Sequence, residues 1–278
     1  MEKHDPLNLQ VIRQTLMRLE DTIIFLLIER AQFAYNPIIY EDSSKFFQLN
    51  NIEKDQKDLS FLDWILKQTE ITHAKARRYE APDEYPFTSS QQLPPSLLPP
   101  LHPPVYLHSN NINFNPIIKN FYINHIVPIL TQRSDKLTDD GQYGSSATRD
   151  VEILQAVSRR IHYGKFVAES KFRDHPNWFI DHIKSRNSVE LERLITKPQI
   201  EAALVRRLEN KALTYGQEIT EDGLSAGPET NQKINAKVVV QMYKDWVIPL
   251  TRQVEVEYLL NRLDGLSSDQ LKKLIESE

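Results

Sequence analysis

The stretch LNLQVIRQTLMRLEDTIIFLLIERAQF, residues 7–33, decides the fold. Leu9, Ile12, Leu16, Leu19, Ile23 and Leu26 recur at heptad spacing, with no glycine or proline among them. At ~3.6 residues per turn such a pattern forms one apolar stripe. It predicts a long helix over about 7–34, stopped by Asn36-Pro37. Similar periodicity predicts helices at 59–80, 113–133, 148–172, 176–185, 188–195, 198–215 and 235–263, with a short tail helix near 267–277. With only 7 glycines in 278 residues, the chain reads as an all-α multi-helix bundle forming a single domain over 1–278.

Two stretches break the pattern. QQLPPSLLPPLHPP, 91–104, is too proline-rich for a helix and reads as a stiff surface connector. YGQEITEDGLSAGPETNQK, 215–233, is polar and reads as a hinge or lid loop. An internal echo links FYINHIVPILTQR (121–133) to MYKDWVIPLTRQ (242–253), each with a tyrosine six residues before a proline. An old duplication or chance similarity between amphipathic helices would each produce it.

Composition excludes several functions. Lys+Arg of 34 against Asp+Glu of 38 gives a net charge of −4, so no broad basic surface is offered to nucleic acid. The absence of cysteine rules out disulfides, thiolate-bound zinc and thiol catalysis. The eight histidines show no paired ligand spacing, and no phosphate-binding glycine loop occurs, so neither metal nor cofactor is expected. The N-terminus is polar and no 18-residue apolar run follows, which reads as a soluble, cytoplasmic protein with no membrane partner.

The candidate chemistry lies in cations on apolar helices. In SRRIHYGKFVAESKF (158–172), Arg160 and Lys171 are eleven residues apart, about three turns, with Gly164 near their common face. Such side chains commonly snorkel to water; two of them over a glycine would also grip a small dianion, with the glycine as clearance. Arg13 borders the first stripe. Thr251 and Glu255 share a face at i, i+4, where an exposed glutamate is the plainer reading. Glu201 follows Thr196-Lys197-Pro198, a capped helix start, and would there complement the helix dipole. Arg77-Arg78 closes the second helix, and GSSATRD (144–150) opens a later one as either a cap or an anion site.

Together, NLQVIRQTLMRLEDTIIFLLIER, ARRYEAPDEYPF, GSSATRDVEILQAVSRRIHYGKFVAESKF and VIPLTRQVEVEYLLNRL resemble the fungal-type allosteric chorismate mutases, from about Leu7 to Leu263. The resemblance implies a homodimer that converts chorismate to prephenate on the way to phenylalanine and tyrosine, inhibited by tyrosine and activated by tryptophan. It places Arg13 and Arg160 on the substrate carboxylates, Lys171 and Glu255 on either side of the ether oxygen, Thr251 beside them, and Glu201 near the ring hydroxyl. Lys197 stands in the substrate site where the family tends to carry asparagine. Effector binding falls to Arg77 and Arg78 of one subunit and to Gln142, Gly144, Ser145 and Thr148 of the other. Gln142 replaces an expected asparagine, and Asn235 replaces a threonine in the hinge. The rearrangement is intramolecular and needs no nucleophile, metal or cofactor. A silent helical regulatory dimer and an isochorismate pyruvate-lyase-like enzyme are the alternatives.

Overall fold

The computed structural model describes residues 5–41, 59–100, 106–132, 137–217 and 232–276. The heptad stripe forms α1 (Leu9–Arg30), started by Asn8, whose side chain accepts from the Gln10 amide. It ends four residues earlier than predicted. There the Arg30 guanidinium turns onto the carbonyls of Phe33, Ala34 and Tyr35 and pairs with buried Asp150 at 2.7 Å. These interactions take up carbonyls past the last turn without continuing the helix. Helix α2 (Phe61–Lys75) also stops short of 80, because Arg77 adopts a left-handed φ of 65°, a common way to end a helix.

Next come α3 (Asn115–Phe121), α4 (Val127–Leu130), α5 (Tyr143–His162), α6 (Gly164–Asp174), α7 (Pro176–Lys184), α8 (Ser188–Ile195) and α9 (Pro198–Tyr215). The chain finishes with α10 (Ala236–Met242), α11 (Ile248–Leu260) and α12 (Ser268–Glu276). No strand forms among the described residues, where Gln217 and Gln232 make an isolated antiparallel bridge. The all-α expectation holds. None of the described helices is long and apolar enough to cross a membrane.

Three expectations need correction. The helix predicted at 148–172 begins at Tyr143, so Gly144 and Ser145 lie in its first turn and not in a loop. It is also two helices, because the chain tightens at Tyr163 and restarts at Gly164. The proline-rich connector opens with a 3-10 turn, Ser90–Gln92, before running exposed to Pro100. Residues 101–104 of that connector and 218–231 of the expected hinge lie outside the described residues.

The Tyr–Pro echo has a structural counterpart. Tyr122–Ile126 and Tyr243–Val247 are both π-helical turns leading into helices that carry Pro128 and Pro249. Proline lacks an N–H and crowds the carbonyl four residues back, and a widened turn relieves both problems.

Helix α1 packs along α5, and α6 packs against α11, which also meets α8. Ile23, Leu27, Ile153, Leu154 and Val254 belong to one continuous core. A smaller cluster of Leu7, Ile12, Tyr163 and Phe166 ties the start of α1 to the α5–α6 joint. Arg13, adjacent to Ile12 in the chain, lines the same cavity as Arg160.

Candidate active site

Arg13, Arg160, Lys171, Lys197, Glu201, Thr251 and Glu255, drawn from α1, α5, α6, α9, α11 and the corner before α9, line one cavity of about 210 Å3. Ile12, Leu16, Val167, Ile195 and Ile248 supply its apolar wall.

Arg160 lies in the last turn of α5, where the helix dipole favours a cation, yet it is only 5% exposed. Its Nη1 donates to Thr251 Oγ1 over 3.4 Å, and its buried Nε has no protein partner. The Tyr243 ring lies 6.0 Å from the guanidinium carbon. Thr251 donates its own proton to the Val247 carbonyl at 2.6 Å, so towards the cavity the hydroxyl oxygen acts as an acceptor.

Opposite, Lys171 Nζ donates to the Ile195 carbonyl at 2.8 Å, at the end of α8, and to Glu255 Oε2 at 3.2 Å. Burial pushes the Glu255 carboxyl above its usual range; Lys171 and Arg160 pull it down, Glu201 adds to the rise, and the net direction is up. Behind this pair, fully buried Glu169 of α6 accepts from Tyr258 at 2.7 Å and from Arg262 at 2.6 Å. That network ties α6, which carries Lys171, to the end of α11, which carries Glu255.

Glu201 does sit in the first turn of α9, but its carboxylate is held from across the cavity by Arg252 Nη2 at 3.0 Å. Thr196 is not the cap: Lys197 occupies that position without a side-chain bond. Lys197 is exposed at the rim.

Gly164 does not face the cavity. A Cβ there would meet the Thr251 carbonyl oxygen at 3.0 Å, Thr251 Cγ2 at 3.1 Å and Glu255 Cγ at 3.2 Å. The glycine is clearance for α11, not for a ligand. Sequence reasoning also missed Arg252, which lines the cavity. Its i, i+3 spacing to Glu255 was a usable signal.

The candidate effector residues lie elsewhere. Arg77 donates to the Pro99 carbonyl, while Arg78 pairs with Glu84 at 2.8 Å and approaches His73. Gln142, Gly144, Ser145 and Thr148 mark the start of α5, where Thr148 Oγ1 donates back to the Gly144 carbonyl at 2.8 Å. Asn235, in the hinge, caps α10 by accepting from the Lys237 amide.

Five cations and two carboxylates around one small cavity suit an anionic substrate carrying more than one negative group. Comparison with known proteins agrees. Residues 142–256 match the family model for chorismate mutase type II. The chain is 43% identical to the chorismate mutase of Emericella nidulans, over 93% of this chain and 94% of that one. Its fold is similar to the crystal structure of Candida albicans chorismate mutase in complex with L-tryptophan, with a TM-score of 0.84, 39% identity, and coverage of 98% of this chain and 99% of that one. It is also similar to AtCM1 with tyrosine bound in its allosteric site, with a TM-score of 0.79, 40% identity, and coverage of 95% and 99%. Identity running nearly end to end and a shared helical fold lead to one conclusion: this chain belongs to the chorismate mutases of the all-helical type II family.

Proposed function

We propose that the cavity shared by Arg13, Arg160, Lys171 and Glu255 is where chorismate rearranges to prephenate, in the biosynthesis of phenylalanine and tyrosine. Arg160 carries the reading: it is a buried guanidinium lining the cavity whose one side-chain hydrogen bond among the described residues, to Thr251, is long at 3.4 Å, which leaves donors for a ligand. Its planar fork suits a carboxylate, and Arg13 across the cavity is placed for the second. Holding both carboxylates folds the enolpyruvyl arm over the ring and removes orientational freedom before the reaction begins.

During the [3,3] shift the ether C–O bond breaks as a C–C bond forms, and negative charge gathers on the ether oxygen. Lys171 and protonated Glu255 donate hydrogen bonds to that oxygen, an electrostatic stabilisation already in place before charge develops. Thr251 orients Arg160. Glu201 accepts from the ring hydroxyl, and Lys197 adds a cation at the rim.

The chain would work as a homodimer regulated by tyrosine as inhibitor and tryptophan as activator. The effector would lie between Arg77/Arg78 of one subunit and the first turn of α5 in the other. That turn carries first-turn amides without an intrahelical partner, at the far end of the helix that holds Arg160. The tryptophan and tyrosine bound in the similar enzymes support this reading.

The test is direct. Purified protein is given chorismate, its loss is followed by absorbance, and the product is identified by NMR. Prephenate supports the reading; free pyruvate or no turnover overturns it. Arg160→Ala should cut kcat/KM by about a hundredfold or more. Thr148→Ala and Arg77→Ala should abolish tyrosine inhibition while leaving basal turnover; inhibition intact in both variants would refute the effector site.

A further inference from the structure

Arg252 follows Thr251 on α11 and stands one turn before Glu255. Its Nη2 meets Glu201 Oε2 at 3.0 Å and its Nη1 meets Glu192 Oε1 at 3.3 Å. Those glutamates belong to different helices, α9 and α8, on either side of the Thr196–Lys197 corner. The corner has little to stiffen it: Lys197 provides no side-chain cap, and the buried Thr196 hydroxyl has no partner. What fixes Glu201 therefore comes from α11.

Resting on the assignment of Glu201 to the ring hydroxyl, we propose that Arg252 is a positioning residue for substrate recognition. Its guanidinium spans two carboxylates, aims the Glu201 oxygen into the cavity and locks the α8–α9 corner to the helix carrying Thr251 and Glu255. A guanidinium can do this because it donates in several fixed directions within one plane; an ammonium on a flexible stem is a single point of charge. The pairs themselves add little stability. Arg252 is 30% exposed, Glu201 27% and Glu192 51%, and partly solvated ion pairs contribute little to folding. The fold therefore survives loss of Arg252, which makes the role measurable.

The experiment is a double-mutant cycle on the full chain with chorismate, built from Arg252→Ala, Glu201→Ala and the pair, with Arg252→Lys as the conservative variant. Loss of a well-aimed acceptor for a bound hydroxyl should raise KM by about tenfold while kcat stays within about threefold. Arg252→Lys should recover part of that loss. If Arg252 acts through Glu201, the double variant is no worse than the poorer single one, since coupled residues are not additive. Multiplying effects, or a loss confined to kcat, would overturn the proposal while leaving Glu201 in its role. A normal KM in Glu201→Ala would instead remove Glu201 from the ring hydroxyl, and with it the basis for Arg252. Unchanged melting temperatures in the single variants separate positioning from unfolding.

Discussion

Replacing Gly164 by alanine tests how closely Lys171 and Glu255, the pair proposed to face the ether oxygen, are held together. Two contributions oppose each other. Alanine favours a helix over glycine by up to about 1 kcal/mol, so a variant free of contacts would be stabilised. The new methyl group, however, would sit 3.0 Å from a backbone oxygen and 3.1–3.2 Å from two side-chain carbons, all on α11. Backbone cannot rotate away as a side-chain tip can, so α6 and α11 must part by a few tenths of an ångström. Overpacking of this kind costs about 1–3 kcal/mol. The net expectation is a loss of about 1–2 kcal/mol, seen as a melting temperature lower by roughly 2–6 °C. The same separation stretches the 3.2 Å Lys171–Glu255 contact, because the lysine rides on α6 and the glutamate on α11. Small misplacements of reacting groups are costly, so kcat should fall about three- to tenfold with KM little changed. Circular dichroism melts and chorismate turnover measure both. A Gly164→Ala enzyme that melts above the parent at parental kcat would refute the packing argument. A rise in KM alone would return the glycine to the ligand side.

The remaining predictions concern titration. Burial raises the Glu255 carboxyl, so the donating acid prevails below that raised value and is lost as pH climbs through it. Turnover should fall with rising pH on that flank, approaching tenfold per unit beyond it, whereas Glu255→Gln should give a flat profile; superimposable curves would remove Glu255 from the ether oxygen. Lys165 is fully buried, donates to the Ile112 carbonyl at 2.7 Å and lies 4.0 Å from the Tyr85 ring centre; burial lowers its pKa to about 7, with the Glu257 charge opposing. Between about pH 7 and the unfolded lysine value of ~10.4 the unfolded chain binds more protons, so stability should rise with pH across that window. Urea titrations at pH 6.5 and 9 should show that rise in the parent and a smaller one in Lys165→Met; equal slopes would show that Lys165 is not the group responsible.

Local periodicity was enough to read the helices, because a stripe of Ile and Leu every three or four residues has few other ways to be buried. Helix ends were harder to read. The end of α1 depends on Asp150, 120 residues away, and the glycine that follows the break at Tyr163 lies against α11, a neighbour distant in the chain. The site shows the same division. All seven of Arg13, Arg160, Lys171, Lys197, Glu201, Thr251 and Glu255 line one cavity; Lys197 was singled out only through the family resemblance, whereas the other six stood out in the helical pattern itself. Arg252 did not, since an arginine beside a threonine on a helix reads as solvated until α8 and α9 bring Glu192 and Glu201 against it. Gly164 was misread for a related reason: a glycine signals close approach without saying what approaches.

The π-helical turn at Tyr243–Val247 joins the sequence echo to the chemistry. One extra residue in a helical turn advances everything after it by about 100° around the axis. Thr251 and Glu255 follow that turn, so their aim towards Arg160 and Lys171 depends on it. Pro249 makes the wide turn favourable by withholding an N–H and crowding the carbonyl behind it. Tyr243, which opens the turn, lies fully buried near the Arg160 guanidinium. The first turn, at Tyr122–Ile126, opens instead on Tyr122, whose hydroxyl donates to Asp150, the partner of Arg30. One device thus serves two ends of α5: near Tyr122 it anchors the first half of that helix to α1, and near Tyr243 it aims α11 at its last turn. Whatever its origin, a tyrosine six residues before a proline works here as a phase-setting element.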